Sequence, residues 1–464
     1  MGLRDILLIG TIYGSIPFIL RKPFIGVLVW YWLSLMNPHR ISWTLENQRF
    51  AQVIAVVLLV AMVIRKDERK AVPVTSITVT LAIFWGWMLV TTFFAFYPEL
   101  AWGQFEKVSK ILFTTYVAIA LLNTKERIIS LTVISALSIG FYGFKGGLFT
   151  IITGGTYRVW GPAGSFIAGN NETGLALVMT LPLLFYIRQI VPARLIKHLL
   201  IVGMVLCVFG VLGTQSRGAA LGIVAMAAFL ALKSDQKMLY IVLVIAVAPV
   251  AYAFMPESWH ERMATISDYQ NDASAMGRIT AWTMATHLAL DRVVGGGFET
   301  FRPAVYLIYL PEVGARGTDA HSIYFELLGE QGFIGLLLFL LIGIFAFKRC
   351  SNVIRLTRRR DDLRWANLLA RMIQVSFVGY AVSGAFLGLS YFDYYYALIA
   401  LVVGMQVVVN EALKHPEPAE VVTAGAPTGP LGPGRYDGPG DPHRGLAGAI
   451  RRLVAVGKDW YGRL

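Results

Sequence analysis

Residues 318–350 read TDAHSIYFELLGEQGFIGLLLFLLIGIFAFKRC. A polar turn gives way after His321 to an apolar run, 322–347, which stops at Lys348. That run is long enough to cross the ~30 Å hydrocarbon core of a bilayer as a helix. Its two ends differ. The leading end carries Asp319 and His321, with Glu326 and Glu330 inside the first turns. The trailing end opens a basic segment, 348–364, with seven Lys or Arg against two Asp. Excess positive charge marks the cytoplasmic side of a membrane helix. The stretch therefore predicts a span with a basic cytoplasmic end and an outer mouth holding a histidine and carboxylates. Ionisable groups kept at such a place commonly mark function.

The rest of the chain repeats the pattern. Of 464 residues, 56% are hydrophobic and only 15% charged, which suits repeated membrane helices and not a soluble domain. Apolar runs fall near 5–19, 23–36, 51–64, 73–95, 108–122, 128–142, 173–187, 199–213, 218–232, 238–254, 322–347, 370–391 and 394–411. They predict an all-α polytopic membrane protein of about 12, at most 13, transmembrane helices. Several runs are shorter than the ~20 residues of a straight span, so they must extend into flanking residues or re-enter. The first run is followed almost at once by Arg21-Lys22-Pro23 and a second run, so the start reads as membrane helix and not as a cleaved signal.

Charge orients the ladder. Segments 65–70, 123–127, 188–198, 233–237 and 348–364 are basic and read as cytoplasmic, each an even number of crossings from the next. Segments 143–172, 214–217 and 255–321 then share the opposite, outer face. The formal charge of +13 is thus topology-setting and argues for anionic lipid, not nucleic acid; the loop 255–321 holds eight acidic and five basic residues. Four regions follow: a helix bundle over 1–254, a large outer loop over 255–321, further spans over 322–411, and a cytoplasmic tail over 412–464. The loop is expected to hold short helices at MPESWHERMATI (255–266) and at 278–290, then Gly295-Gly296-Gly297, which suits a close backbone approach or a plain flexible turn. The tail is Gly/Pro-rich, expected to be disordered, with a short basic amphipathic end.

Candidate functional residues gather on the outer face. Arg217, in GTQSRGAALGIV, lies where the positive-inside rule gives it no reason to be; its planar fork suits phosphate oxygens, although it could also snorkel. Arg278 opens a helical segment and could join it in a pyrophosphate clamp, or pair with Asp272 or Asp291. Arg262 has a weaker claim beside Glu257 and Glu261. His321 is the side chain best suited to accept a proton near neutral pH, with Asp319 or Glu326 to orient it; it could equally be a plain interfacial histidine. Arg158, Asn170, Asn171 and Glu172 suit hydroxyl recognition on a sugar, and Asn170-Asn171-Glu172 suits a helix cap just as well. Cys207 and Cys350 give no disulfide framework. No HxxxH, HExxH or paired cysteine set is present, so neither a metal nor another cofactor is expected.

The Ser-Arg-Gly turn at 216–218, Arg278 ahead of GGGF at 295–298, and DAHSIYFELLGEQG at 319–332 together resemble the O-antigen ligase and polymerase superfamily. MNPHR at 36–40 and RVWGPAGSFIAGNNETGLALVMTLPLL at 158–184 are similar to its branch of O-glycosylation ligases associated with exosortase systems. The resemblance spans residues 1 to about 411. It implies a GT-C-like glycosyltransferase of the bacterial inner membrane with its site facing the periplasm. It further implies transfer of a glycan from undecaprenyl pyrophosphate to lipid A–core oligosaccharide, without a metal and with inversion. Polymerisation onto another lipid-linked unit and protein O-glycosylation share that donor chemistry. On this resemblance His321 corresponds to the base and Arg217 and Arg278 to the pyrophosphate-binding arginines. A transporter would instead need mid-membrane charges and inverted repeats, and no clear repeat is visible.

Overall fold

The computed structural model describes every residue except 1, 43, 47, 234–252, 254, 258, 261–272, 315–316 and 415–464. Met1–Pro416 forms one compact unit, all-α, with no strand among the described residues. Its helices are α1 (Leu3–Arg21), α2 (Pro23–Met36), α3 (Phe50–Ile64), α4 (Ser76–Phe93), α5 (Pro98–Leu121), α6 (Lys125–Ile152) and α7 (Asn170–Ile190). They are followed by α8 (Arg194–Gly213), α9 (Arg217–Lys233), α10 (Ala273–Asp291), α11 (Pro303–Tyr309), α12 (Ile323–Leu356), α13 (Arg364–Ser383) and α14 (Asp393–Ala412).

The expected count of 12 or 13 spans is corrected. Eight of the described helices are long and apolar enough to cross a membrane: α1, α4, α6, α7, α8, α12, α13 (within Asp361–Phe386) and α14. The physical reason is that an apolar run is not a span. α2 and α3 have 14 and 15 residues; at 1.5 Å per residue each covers only about 21–23 Å. α5 is long but carries Glu99, Glu106, Lys107 and Lys110. α9 stops at 17 residues, and the run 238–254 falls almost wholly outside the described residues. The helix set is that of a multi-pass all-α membrane protein, and it does not support the GT-C-like architecture expected from the resemblance.

Packing follows from small residues. On α6, a Cβ at Gly147 would run into the Leu206 backbone of α8, and one at Gly143 would meet Cys207; bare glycine lets two helix backbones close together where lipid offers no hydrophobic drive. Short tethers mark the two ends. At one, Lys70 N donates to Ala120 O (2.9 Å), Asn123 Nδ2 to Glu68 O (3.2 Å), and Arg127 pairs with Glu68. At the other, Val159 N donates to Gly213 O (2.9 Å), Asn170 Nδ2 to Thr214 O (2.8 Å), and Phe96 N to Gly296 O (2.9 Å). Segments 143–172, 214–217 and the 295–321 part of the long loop therefore meet at one end, opposite the basic turns 65–70 and 123–127.

Candidate active site

α12 is broken at Gly332, which sits at φ +66 inside the helix. A break strands the carbonyls that would have accepted from the following turn. Three of them find other donors: Gly296 N reaches Gly329 O (2.8 Å), Gly297 N reaches Glu330 O (2.9 Å), and Trp87 Nε1 reaches Gln331 O (2.8 Å). The triple glycine is thus a close backbone approach and not a plain turn. A Cβ on Gly295, itself at φ +63, would lie 2.7–2.9 Å from Gly332 N, Gly329 O and Glu330 O.

The turn delivers Glu299 and Arg302 to the mouth of α12, where they pair at 2.8 Å. Glu299 N also donates to Glu330 Oε1 (2.9 Å), while Tyr391 O–H donates to Glu330 Oε2 (2.8 Å). Glu330 is buried and serves as a junction between the loop, α12 and the approach to α14. Glu326, one turn nearer the mouth, accepts from Ser390 N (3.0 Å) and Ser390 Oγ (2.5 Å) on Oε2.

His321 is held from behind. Tyr306 O–H donates to Thr318 O (2.5 Å), Thr318 Oγ1 to Gly277 O (3.1 Å), and Trp282 Nε1 to Ala320 O (2.8 Å). Trp282 also stacks on Phe325 at 4.8 Å with 7° between planes. α10 and α11 thereby pin the strap 318–320, and His321 follows in the left-handed region, φ 44. Non-glycine residues rarely adopt it. The others among the described residues, Asn37, Gln215 and Glu299, lie at the same end of the bundle, and such strain tends to collect at functional sites.

These pieces enclose a cavity of about 380 Å³ lined by Glu172, Glu299, Arg302, Asp319, His321, Glu326 and Glu330, with Phe301, Pro303, Ala320 and Gly388. A neighbouring cavity of about 350 Å³ shares Glu172, Glu299, Glu326 and Gly388 and adds Lys107 of α5, whose Nζ lies 4.2 Å above the Phe166 ring. His321 is half-buried. Burial holds its pKa below the ordinary 6.5, Asp319 opposes that shift, and Arg278 adds to it. The imidazole is therefore neutral at neutral pH and able to accept a proton. Around it, carboxylates and a ring face offer what sugar hydroxyls and a pyranose plane would meet.

Of the sequence candidates, His321, Asp319, Glu172 and Glu326 converge on one cavity, and Arg278 stands close enough to act on His321. Arg217, Arg158, Asn170 and Asn171 do not line it. Asn170 is buried and ties α7 to the turn 214–217; it is the first helical residue of α7, after an N-cap at Gly169. Arg158 Nε donates to Gln215 Oε1 (3.2 Å) and faces a different cavity. Arg217 opens α9 from that same turn. Arg262 lies outside the described residues. Glu299 and Lys107 escaped the sequence reading, and Arg302 stood there only as one of the arginines of the polar loop, with no role; each is an unremarkable charge until the Gly332 break and α5 bring it to the mouth. Among the described residues no three His, Cys, Asp or Glu side chains group as a metal site.

Residues 202–340 match a family model described as O-antigen ligase. Residues 3–190 match a family of unknown function. The ligase match covers under a third of the chain and includes Arg217, the triple glycine, His321, Glu326 and Glu330. No curated protein matches the chain.

Proposed function

We propose that this protein is an O-antigen ligase-type glycosyltransferase, moving a glycan from undecaprenyl pyrophosphate to the lipid A–core oligosaccharide at the periplasmic face of the bacterial inner membrane. The observation that carries it is a half-buried histidine, strapped into a carboxylate-lined cavity at the mouth of a candidate membrane helix, with its pKa held low by burial, within the stretch matched by the ligase model. In the reaction an acceptor hydroxyl oxygen attacks the anomeric carbon and His321 takes its proton. The bond from that carbon to the pyrophosphate oxygen breaks, and the electron pair leaves with the pyrophosphate. One displacement inverts the centre and needs no enzyme nucleophile. Arg217 and Arg278 are assigned to the pyrophosphate, where charge accumulates as the bond breaks; preorganised donors count most there. Glu172, Glu326 and Asp319 are assigned to acceptor or donor hydroxyls.

The test is product analysis. Purified protein in detergent is mixed with lipid-linked glycan and, separately, lipid A–core, a second lipid-linked glycan, and an acceptor peptide, with and without a chelator. Glycosylated lipid A–core, formed at the same rate with chelator, is the expected product. Product only on the second lipid-linked glycan or on the peptide replaces the ligase reading with polymerase or protein O-glycosylation. The orientation has its own check. An impermeant thiol reagent, applied to cells with a permeabilised outer membrane, should label a cysteine introduced at Asp319 and spare one at Arg359; the reverse pattern would turn the whole site to the wrong side.

A further inference from the structure

A second cavity, of about 320 Å³, lies in the N-terminal half and takes no part in the chemistry above. Three cations face it from separate elements: Arg40 from the turn after α2, Lys145 from α6, and Arg158 from the outer loop. No carboxylate lines it. Among the described residues none of the three cations forms an ion pair. A concavity lined by one sign of charge raises the local concentration of anions.

Gly164, at φ +70, has no Cβ, and a Cβ there would collide with the Arg40 guanidinium, which also borders a neighbouring cavity lined by Gly164, Lys107 and Asp393. Gly146 leaves room for Val159 in the same way. Arg158 is aimed by Gln215, which accepts from its Nε and donates to Gly155 O (3.1 Å). That leaves the two Nη groups of Arg158 for a ligand among the described residues. Tyr142 anchors the floor by donating to Met36 O.

The surroundings say where the anion comes from. Trp160 and Phe149 belong to the lining. Trp160 is 58% and Ile152, at the end of α6, is 74% exposed. An exposed apolar helix end with an aromatic rim is what a membrane–water boundary selects. The opening therefore sits where lipid headgroups lie. A guanidinium fork prefers the oxygens of phosphate.

We propose that this cavity binds the phosphate-bearing headgroup of a membrane lipid. Arg40, Lys145 and Arg158 hold the phosphate, and Trp160 and Phe149 lie against the first carbons beyond it. The site is separate from the pyrophosphate contacts assigned to Arg217 and Arg278 and stands whether or not that assignment holds. Its link to them is physical: Arg158 is held by Gln215, two residues before Arg217.

The experiment is calorimetric titration of the full-length protein in neutral detergent with dioctanoyl phosphatidic acid, inorganic phosphate and dioctanoylglycerol. Saturable binding of dioctanoyl phosphatidic acid is expected, with inorganic phosphate about tenfold weaker or more, and dioctanoylglycerol silent. Arg40→Gln and Arg158→Gln should each weaken the lipid by about tenfold or more, the scale of one charge-assisted contact. Lys145→Gln should weaken it too; Lys145 is exposed on α6, so its loss reads binding and not folding. Arg359→Gln, exposed in the basic segment after α12, should bind as the parent does. Inorganic phosphate binding as well as the lipid overturns the lipid assignment, and binding of dioctanoylglycerol overturns the anion. Unchanged affinity in Lys145→Gln and Arg158→Gln, or loss in Arg359→Gln equal to theirs, overturns the site.

Discussion

The two cavities at the loop-bearing end of the bundle are similar in size and opposite in character. The one around His321 is lined by five carboxylates, and its cation Arg302 is paired with Glu299. The one around Arg40 is lined by three cations and no carboxylate. The first is assembled by a broken helix, a triple glycine and a strained strap, and belongs mainly to the stretch matched by the ligase model. The second is assembled by glycines that let arginine and loop lie flat, and falls within the stretch matched by a family of unknown function. The contrast teaches a division of labour. Carboxylates beside a neutral imidazole suit moving a proton among hydroxyls; unopposed cations suit holding an anion still.

The hardest blow to the comparison is His321→Ala. If this cavity does the chemistry, transfer should fall by about 10²- to 10⁴-fold, the usual contribution of a positioned base, while donor lipid still binds. Transfer and donor binding are measured separately on the same preparation. Wild-type transfer by this variant would leave the two cavities without a chemical distinction.

Next come the arginines. Arg217→Ala and Arg278→Ala should each lose about ten- to a hundredfold in transfer, matching about 1.5–3 kcal/mol for a charge-assisted contact, and should also bind donor less well. Arg217→Lys should recover little, because a point charge does not reproduce a fork. Normal transfer and normal donor binding in both alanine variants would make them ordinary loop charges.

A smaller effect sharpens the structural side. Gly154 and Gly295 both have positive φ, +60 and +63, but a Cβ at Gly154 meets nothing within 4 Å, whereas at Gly295 it meets the α12 break. Gly154→Ala should lose about 1 kcal/mol of stability from backbone strain alone; Gly295→Ala should lose more, about 2–3 kcal/mol, and transfer with it. Thermal unfolding of the two variants decides it. Equal losses would mean the triple glycine is not what holds Glu299 and the helix break together.

Much of this was legible before the fold. Charge bias alone brought 143–172, 214–217 and the 295–321 part of the long loop to one end, and His321, Asp319 and Glu326 are close in sequence, so their convergence needed only one helix. The helix over 278–290 was visible and is there, beginning five residues earlier. The span count was not legible from apolar runs, because α2 and α3 are apolar but short and α5 is long but charged. The roles of Glu299, Lys107 and Arg302 were not legible for another reason. Their place depends on the break at Gly332, whose sequence signal is the trio Gly329, Gly332 and Gly335 inside an otherwise helical run. Arg40 stood in MNPHR, where it served only as part of a resemblance; its meaning depends on Gly164, more than a hundred residues away.

The smallest expected effect is a displacement of a pH profile, and its sign discriminates. The base acts as neutral imidazole, so transfer should be lost as pH falls through the pKa of His321, which burial holds below 6.5. Linkage gives stability the same sense: below 6.5 the unfolded chain takes up the proton more readily, so this group's contribution is lost as pH falls toward the folded pKa. Asp319 raises the His321 pKa and Arg278 lowers it. Asp319→Asn should therefore move the acid limb of kcat/KM to lower pH, and Arg278→Ala should move the limb of its residual activity to higher pH. Both can be followed from about pH 5 to 8 on the same acceptor, since the free-enzyme profile reports the base. A merely structural role for the two residues would lower the rate without moving the limbs apart. Shifts in the same direction, or none, would remove His321 from the titration and with it the contrast between a cavity that moves a proton and one that holds a charge.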